Sequence, residues 1–137
     1  MKHEIVVALL LQDNKILLGH RSPNRQVYPN VWDVFGGHME PGEDQPQTLV
    51  RELQEELGIV PIQWRYIETL TAITPEESDE PSEVSIHFYL VNSWSGIPTN
   101  LQPHEHTEIQ WLSLSQAIQL DLADPIYPQL FARYLWI

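Results

Sequence analysis

The segment from Gln45 to Leu57 constrains the fold more than any other part of the chain. On a helical wheel of about 100° per residue, its apolar side chains form one face and its glutamates form another. The apolar face consists of Leu49, Val50, Leu53 and Leu57, and the acidic face of Glu52, Glu55 and Glu56. Gly58 follows as a helix stop. The pattern predicts a helix over 45–57 that packs one face on a core and presents a cluster of carboxylates on another.

The acidic face has two interpretations. Like charges three and four residues apart destabilise a helix by a few tenths of a kcal/mol per pair. A divalent cation such as Mg²⁺, which prefers carboxylate and other oxygen ligands, would compensate that repulsion. A solvated acidic surface explains the same spacing. The spacing alone therefore leaves a metal site and a plain polar surface both open.

The residues around the helix add to the metal interpretation. Gly36 and Gly37 allow the backbone to turn tightly and to approach a ligand closely. Arg51 lies beside Glu55 on the wheel, and an arginine among carboxylates is either a structural ion pair or a phosphate clamp. Glu43, just before the helix, is the expected partner of Arg51.

The rest of the chain predicts an α/β or α+β class, with helices covering a mixed sheet. A hairpin is expected from two apolar runs on either side of the turn-prone pair Asp13-Asn14, and a short strand is expected to stop at Gly36-Gly37. The expected strands are 5–11, 16–20, 31–35, 64–73, 84–91 and 109–112, and two closing helices are expected over 115–120 and 125–136. The segments 21–30, 74–83 and 96–107 are expected to be loops. All 137 residues are expected to form one domain.

Composition narrows the function. The formal charge of −12 repels a phosphate polymer, so a nucleic-acid partner is not expected. The chain has no cysteine, which excludes disulfides, thiolate metal sites and a cysteine nucleophile, and fits a reducing, cytoplasmic location. No apolar stretch is long enough to span a bilayer, so a membrane partner is not expected either. The oligomeric state is left open between a monomer and a homodimer.

The segment GHMEPGEDQPQTLVRELQEELGI, residues 37–59, resembles the Nudix box at every defined position, from Gly37 and Glu43 to the run Arg51 to Ile59. The preceding WDVFGGHMEPGE and the later EHTEIQWLSL are also similar to segments of Nudix hydrolases. The resemblance implies the Nudix fold, a mixed sheet between helices, and Mg²⁺-dependent hydrolysis of a diphosphate bond in a nucleoside diphosphate derivative. Mn²⁺ is expected to substitute for Mg²⁺.

The resemblance also assigns roles to residues. It implies that Glu52, Glu55 and Glu56 are metal ligands, with the Gly37 carbonyl as a further one, and that Arg51 and Glu43 form the pair that rigidifies the box. Family members take another acidic ligand from a later loop. Glu105 is the first candidate here, with Glu108 and Glu77 as rivals. Either Glu52 or Glu105 would act on the attacking water.

Substrate contacts are less constrained by the sequence. Arg21 matches a common arginine of the family and is a candidate for phosphate or ribose, and Gly36, Gly37 and His38 are candidates at the substrate. The small size of the chain favours a nucleoside triphosphate, with or without an oxidised base, which would give a nucleoside monophosphate and pyrophosphate. The alternatives are an ADP-ribose or nucleotide-sugar pyrophosphatase and, in another class, a non-catalytic nucleotide-sensing Nudix domain.

Overall fold

The computed structural model describes residues 2–75 and 81–136. Within these two ranges the chain forms seven strands and three helices. They are β1 (Lys2–Gln12), β2 (Lys15–Arg21), β3 (Trp32–Asp33), β4 (Phe35–His38), α1 (Gln45–Leu57), β5 (Val60–Pro75), β6 (Pro81–Ser95), β7 (His106–Leu112), α2 (Leu114–Ala117) and α3 (Tyr127–Ala132). None of the helices in the described ranges is long and apolar enough to cross a membrane.

β1 is the centre of the sheet. It pairs in parallel with β6 from Lys2 to Leu10 and antiparallel with β4 along its other edge. β6 pairs in turn with the long edge strand β5, while β2 pairs with both β3 and β7. β1 and β2 are joined by the expected hairpin, whose turn residues Asp13 and Asn14 both have positive φ, as a two-residue turn between twisted strands requires. The sheet is mixed, as predicted.

The core lies on both faces of this sheet. Alternate side chains of β1 point to opposite faces, so Val6 and Ala8 pack towards α1, while Val7 and Leu9 pack towards α2 and α3. Leu49, Leu53 and Leu57 of α1 are fully buried against the first face. Three of the four residues of the predicted apolar face therefore fix α1 to the sheet, whereas the fourth, Val50, is only partly buried and lies outside the core.

Several predicted boundaries are wrong. The strand expected over 31–35 is two strands, and the glycines expected to end it lie inside β4, where Gly36 pairs with Val7. Strands β5, β6 and β7 extend beyond the expected 64–73, 84–91 and 109–112 because residues on either side of these segments continue the pairing, so parts of the expected loops 74–83 and 96–107 are strand. The closing helices α2 and α3 are shorter than the expected 115–120 and 125–136, and α3 begins at Tyr127 with Pro128 in its first turn.

Candidate functional site

The helix α1 begins and ends where local side-chain chemistry places it. The Asp44 carboxylate accepts a hydrogen bond from the Gln47 amide at 2.8 Å, and the Gln47 side chain accepts one from the Asp44 amide at 2.8 Å. This reciprocal pair satisfies two amides that a helix start leaves unpaired. At the other end, Gly58 has a φ of 69°, and its amide donates to the Gln54 carbonyl at 3.0 Å. The residues between therefore form the helix from 45 to 57 that the sequence predicts.

Arg51 is held by several oxygens of the loop that precedes α1. Its Nε and Nη2 donate to the two carboxylate oxygens of Glu43 at 2.7 and 3.0 Å, and Nη2 also donates to the His38 carbonyl at 2.9 Å. The paired guanidinium lowers the pKa of Glu43 to about 2. The expected contact between Arg51 and Glu43 is therefore present, and it ties the loop to the helix in the fork geometry that arginine favours.

The Glu52 carboxylate lies between Arg51 and Gly37 of strand β4. Its Oε1 accepts from Arg51 Nη1 at 2.9 Å. A Cβ built on Gly37 would lie 2.5 Å from the same oxygen, closer than atoms of this kind approach. Glycine at position 37 is therefore required for the Glu52 carboxylate to lie against the backbone of β4. Glu55, whose side chain is 56% exposed, contacts Arg51 Nη1 at 3.3 Å from the outer side of the helix.

Glu56 is the most unusual group of the site. It is buried, with 8% of its surface exposed, and its Oε2 atom has no hydrogen-bond partner among the described residues. Burial, together with the neighbouring charges of Glu52 and Glu105, raises its pKa to about 9. A buried carboxylate oxygen without a donor is destabilising unless a proton or a cation meets it.

Glu105 comes to this centre from the loop before β7. Its charge contributes to the raised pKa of Glu56, which places the two carboxylates near each other. Of its rivals, Glu108 lies on β7 and accepts from the Gln110 side chain at 3.1 Å, while Glu77 lies outside the described residues. Of the two candidates within the described residues, Glu105 is therefore the one whose charge acts on Glu56.

The loop that carries Glu105 is hydrogen-bonded to the last turn of α1, a connection the sequence did not reveal. The amides of Thr99 and Leu101 donate to the carbonyls of Leu57 and Glu56, each at 3.0 Å. The Asn100 side chain donates to the His106 carbonyl at 2.8 Å and so closes the loop. These bonds satisfy carbonyls that a helix end leaves free and hold Glu105 opposite the box.

His106 anchors the other side of this loop. It is buried against the ring of Phe35, 5.2 Å away between centroids, and its Cδ2 atom leaves no space for a side chain at Gly19. Burial lowers the pKa of His106 to about 4. Its ring is therefore neutral at physiological pH and packs as part of the core.

The predicted substrate residues lie on two strands, with Arg21 at the end of β2 and the other three on β4. Gly36 and Gly37 lie on β4 beside the carboxylates, and His38 is exposed at the end of that strand. Arg21 is more enclosed: its Nε and Nη2 donate to the carbonyls of Tyr28 and Val27, and its Nη1 lies 3.6 Å from Asp33. These bonds use the guanidinium to hold the loop after β2. A contact between Arg21 and substrate stays a prediction.

The donor set suits a hard divalent cation, although the side chains are not gathered around one point. Within residues 2–75 and 81–136, no three acidic or histidine side chains are close enough together to hold a metal ion as they stand, and Glu52 and Glu55 instead contact Arg51 at 2.9 and 3.3 Å. The Oε2 of Glu56 has no hydrogen-bond partner among the described residues, and Glu52 and Glu105 act on it electrostatically. These three carboxylates are the all-oxygen ligands that Mg²⁺ selects. The residues therefore fit such an ion.

Comparison with known proteins agrees with this arrangement. The NUDIX domain family matches residues 1–134. A CTP pyrophosphohydrolase from Escherichia coli K12 is 36% identical over 132 residues, which cover 94% of this chain and 89% of the relative. An 8-oxo-dGTP diphosphatase from the same strain is 33% identical over 116 residues, which cover 82% of this chain and 81% of the relative.

Solved structures share the fold. A MutT NUDIX hydrolase from Burkholderia pseudomallei has a TM-score of 0.79 at 22% identity and covers 99% of both chains. The E. coli ORF135 protein has a TM-score of 0.76 at 33% identity, covering 97% of this chain and 91% of its own. Nudix hydrolases generally use divalent metal ions. The family match, the two relatives and the box residues assembled on α1 lead to one conclusion: this chain belongs to the Nudix family and is a pyrophosphohydrolase.

Proposed function

We propose that this protein hydrolyses a nucleoside triphosphate between the α and β phosphates, with Mg²⁺ as cofactor, and releases a nucleoside monophosphate and pyrophosphate. The names of its two long relatives, a CTP pyrophosphohydrolase and an 8-oxo-dGTP diphosphatase, support this substrate class. Both matches extend over more than four fifths of each chain, so the similarity includes the strands and loops around the box as well as the box itself.

The observation that carries the proposal is the buried carboxylate of Glu56, whose Oε2 has no partner among the described residues. Its neighbours Glu52 and Glu105 are also acidic, so further negative charge from a substrate would be repelled at this centre. A cation must therefore come between the protein and the phosphate chain. We assign Glu52, Glu55, Glu56, Glu105 and the Gly37 carbonyl as the groups that hold it.

Mg²⁺ bound there would neutralise charge on the diphosphate and make its phosphorus more electrophilic. The protein itself contributes orientation. The Arg51–Glu43 pair fixes the loop between β4 and α1 against the helix, and the bonds from Thr99 and Leu101 fix the loop carrying Glu105 to the other end of the helix. Carboxylates thus face the substrate from two sides, and a group on each side is available to accept a proton from water.

Glu52 and Glu105 are the two candidates for the group that accepts this proton. Glu52 accepts a hydrogen bond from Arg51 and its side chain is 14% exposed, whereas the Glu105 side chain is 39% exposed. Comparing the pH profiles of kcat for Glu52→Gln and Glu105→Gln separates them. The variant that loses the acidic limb of the profile while still binding metal identifies the proton acceptor.

A hydrolysis screen tests the substrate class. The panel comprises nucleoside triphosphates, 8-oxo-dGTP, ADP-ribose, nucleotide sugars and dinucleoside polyphosphates, each with Mg²⁺, with Mn²⁺ and with excess chelator. We expect the triphosphates to give monophosphate and pyrophosphate only when metal is present. Activity confined to ADP-ribose or nucleotide sugars would contradict the substrate class, and full activity in chelator would contradict the metal assignment.

A further inference from the structure

The chain has few lysines and arginines, and most of them form other contacts or lie far from the acidic site. The chain has seven lysines and arginines against 19 acidic residues. Arg51 is held by the box, and Arg21 by the loop carbonyls and Asp33. Lys2, which pairs with Glu4 at 3.4 Å, lies four residues along β1 from Val6, the partner of Gly37, or roughly 13 Å away. Arg133, which pairs with Glu68 at 2.6 Å, lies at the end of α3 on the sheet face opposite α1.

Two further cations lie far from the site. Lys15 is at the hairpin, opposite Gln12, whereas Gly37 is opposite Val6. Six residues along a strand correspond to roughly 20 Å. Arg65 is on the edge strand β5, and β6 and β1 lie between that strand and β4. Neither side chain is placed to contact a phosphate chain held at Gly37 and Glu56.

Among the lysines and arginines, all of which lie within residues 2–75 and 81–136, Arg25 is the one that remains, and it lies beside Glu105. Its Nη1 lies 3.9 Å from the Glu105 Oε2, and the two side chains are 29% and 39% exposed. An exposed ion pair of this length contributes only about 0–1 kcal/mol, so the guanidinium can leave Glu105 at little cost. Arg25 is thus not held as Arg21 and Arg51 are.

The loop presents Arg25 in a defined place. The amide of Ser22 donates to the Glu105 carbonyl at 2.8 Å, which joins the loop after β2 to the loop before β7. The amide of Arg25 donates to the Ser22 carbonyl at 3.1 Å, so Arg25 closes a turn on that junction. Its side chain therefore starts from a backbone that is fixed relative to Glu105.

We propose that Arg25 binds the phosphate chain of the substrate and exchanges its contact with Glu105 for one with phosphate oxygens when Glu105 engages the metal. The inference rests on the proposed function, because it assumes a polyphosphate bound at Glu56 and Glu105. A protein with a net charge of −12 repels such a ligand, and a planar guanidinium recognises phosphate oxygens in pairs. Arg25 supplies that recognition beside the metal site, and it distinguishes triphosphates from monophosphates.

Equilibrium binding tests this without relying on turnover. The probes are α,β-methylene CTP, which cannot be cleaved at the bond in question, and CMP, each titrated calorimetrically with Mg²⁺. We expect Arg25→Gln to weaken binding of the triphosphate analogue about tenfold, or roughly 1.4 kcal/mol, and binding of CMP much less. Arg25→Lys should lose part of this effect because it keeps the charge without the fork. Arg65→Gln is the matched control and should bind as wild type does.

A double-mutant cycle with Glu105→Gln separates phosphate binding from mere support of Glu105. If Arg25 contacts phosphate, Arg25→Gln still weakens binding when residue 105 is Gln. If Arg25 acts only through Glu105, it has no effect in that background, and the proposal is wrong. It is also wrong if Arg25→Gln binds the analogue within twofold of wild type.

The proposed function can fail separately. A wild-type protein that binds the analogue but cleaves no nucleoside triphosphate would contradict the function, while the Arg25 comparison would still be decided by binding. A wild-type protein that does not bind the analogue at millimolar concentration would overturn both.

Discussion

Replacing Glu56 with Gln isolates the energetic consequence of burying this carboxyl group. Its folded-state pKa is raised from 4.5 to about 9, so folding favours the protonated form. A group with a raised pKa contributes its full stability below the unfolded value and loses it as pH rises towards the folded value. The metal-free wild type should therefore become less stable between pH 4.5 and 9.

The magnitude follows from the distance between the working pH and the unfolded pKa. At pH 7, about 2.5 units above the unfolded-state pKa of 4.5, Glu56 is still protonated in the folded protein but ionised in the unfolded one. Each pH unit corresponds to 1.36 kcal/mol, so the free energy of unfolding is about 3 kcal/mol lower than at low pH. Gln has nearly the same size and no charge. We expect Glu56→Gln to raise the melting temperature of the metal-free protein at pH 7 by roughly 10 °C for a domain of this length. Activity should fall at least about 10²-fold, the scale of losing a main electrostatic element.

The assay is thermal melting with chelator from pH 4.5 to 9, repeated with Mg²⁺. Glu55→Gln is the matched control, because this neighbour is 56% exposed and its neutralisation should change the melting temperature little. The difference between Glu56→Gln and wild type should shrink towards zero as pH falls to 4.5. Added Mg²⁺ should stabilise wild type more than Glu56→Gln. A variant that melts at or below the wild-type temperature at pH 7 would refute this reasoning.

Three further predictions concern the same site. Glu43→Gln should destabilise the protein at neutral pH. Because the pKa of Glu43 is depressed from 4.5 to about 2, wild type loses this stabilisation as pH falls from 4.5 to 2, so the stability difference between the two proteins in acid-unfolding curves should become smaller. Gly37→Ala places a Cβ 2.5 Å from Glu52 Oε1 and should lower kcat at least about tenfold, or 1.4 kcal/mol; unchanged turnover would mean that Glu52 needs no contact with this backbone. Glu105→Gln should lower turnover at least about tenfold with little change in metal-free melting, whereas Glu108→Gln serves as its control. Normal turnover in Glu105→Gln with a crippled Glu108→Gln would move the loop carboxylate to residue 108.

The helix α1 could be predicted to its first and last residue because its determinants are local. The apolar spacing, Asp44 before the first turn and Gly58 after the last are all contained in fifteen consecutive residues. The contact between Arg51 and Glu43 is similarly near in sequence, because the two partners are eight positions apart. Interactions over such short separations depend little on the rest of the fold, so residue type and spacing are enough to predict them.

The strand boundaries could not be predicted without knowing the partner strand. Gly36 and Gly37 have poor strand propensity, yet they lie within β4 because β1 pairs with them and a side chain at Gly36 would collide with the Val6 carbonyl. The polar ends of β5 and β6 are strands because each pairs with the other over its length. Strand propensity reflects packing against neighbouring strands, and the residues of a single segment carry no information about which strands those are.

The sequence by itself determined the family, the box helix and the identity of the carboxylates on its acidic face. Only the tertiary structure decided that Glu56 is buried with one oxygen lacking a hydrogen-bond partner within residues 2–75 and 81–136. It also decided that Glu105 acts on Glu56, and that Arg25 faces Glu105 while Arg21 holds a loop. Glu56 and Glu105 are about fifty residues apart, and Arg25 and Glu105 eighty. Their proximity arises from the pairing of β2 with β7 and from loop bonds to the end of α1, because long-range contacts follow from how separate elements pack on one core.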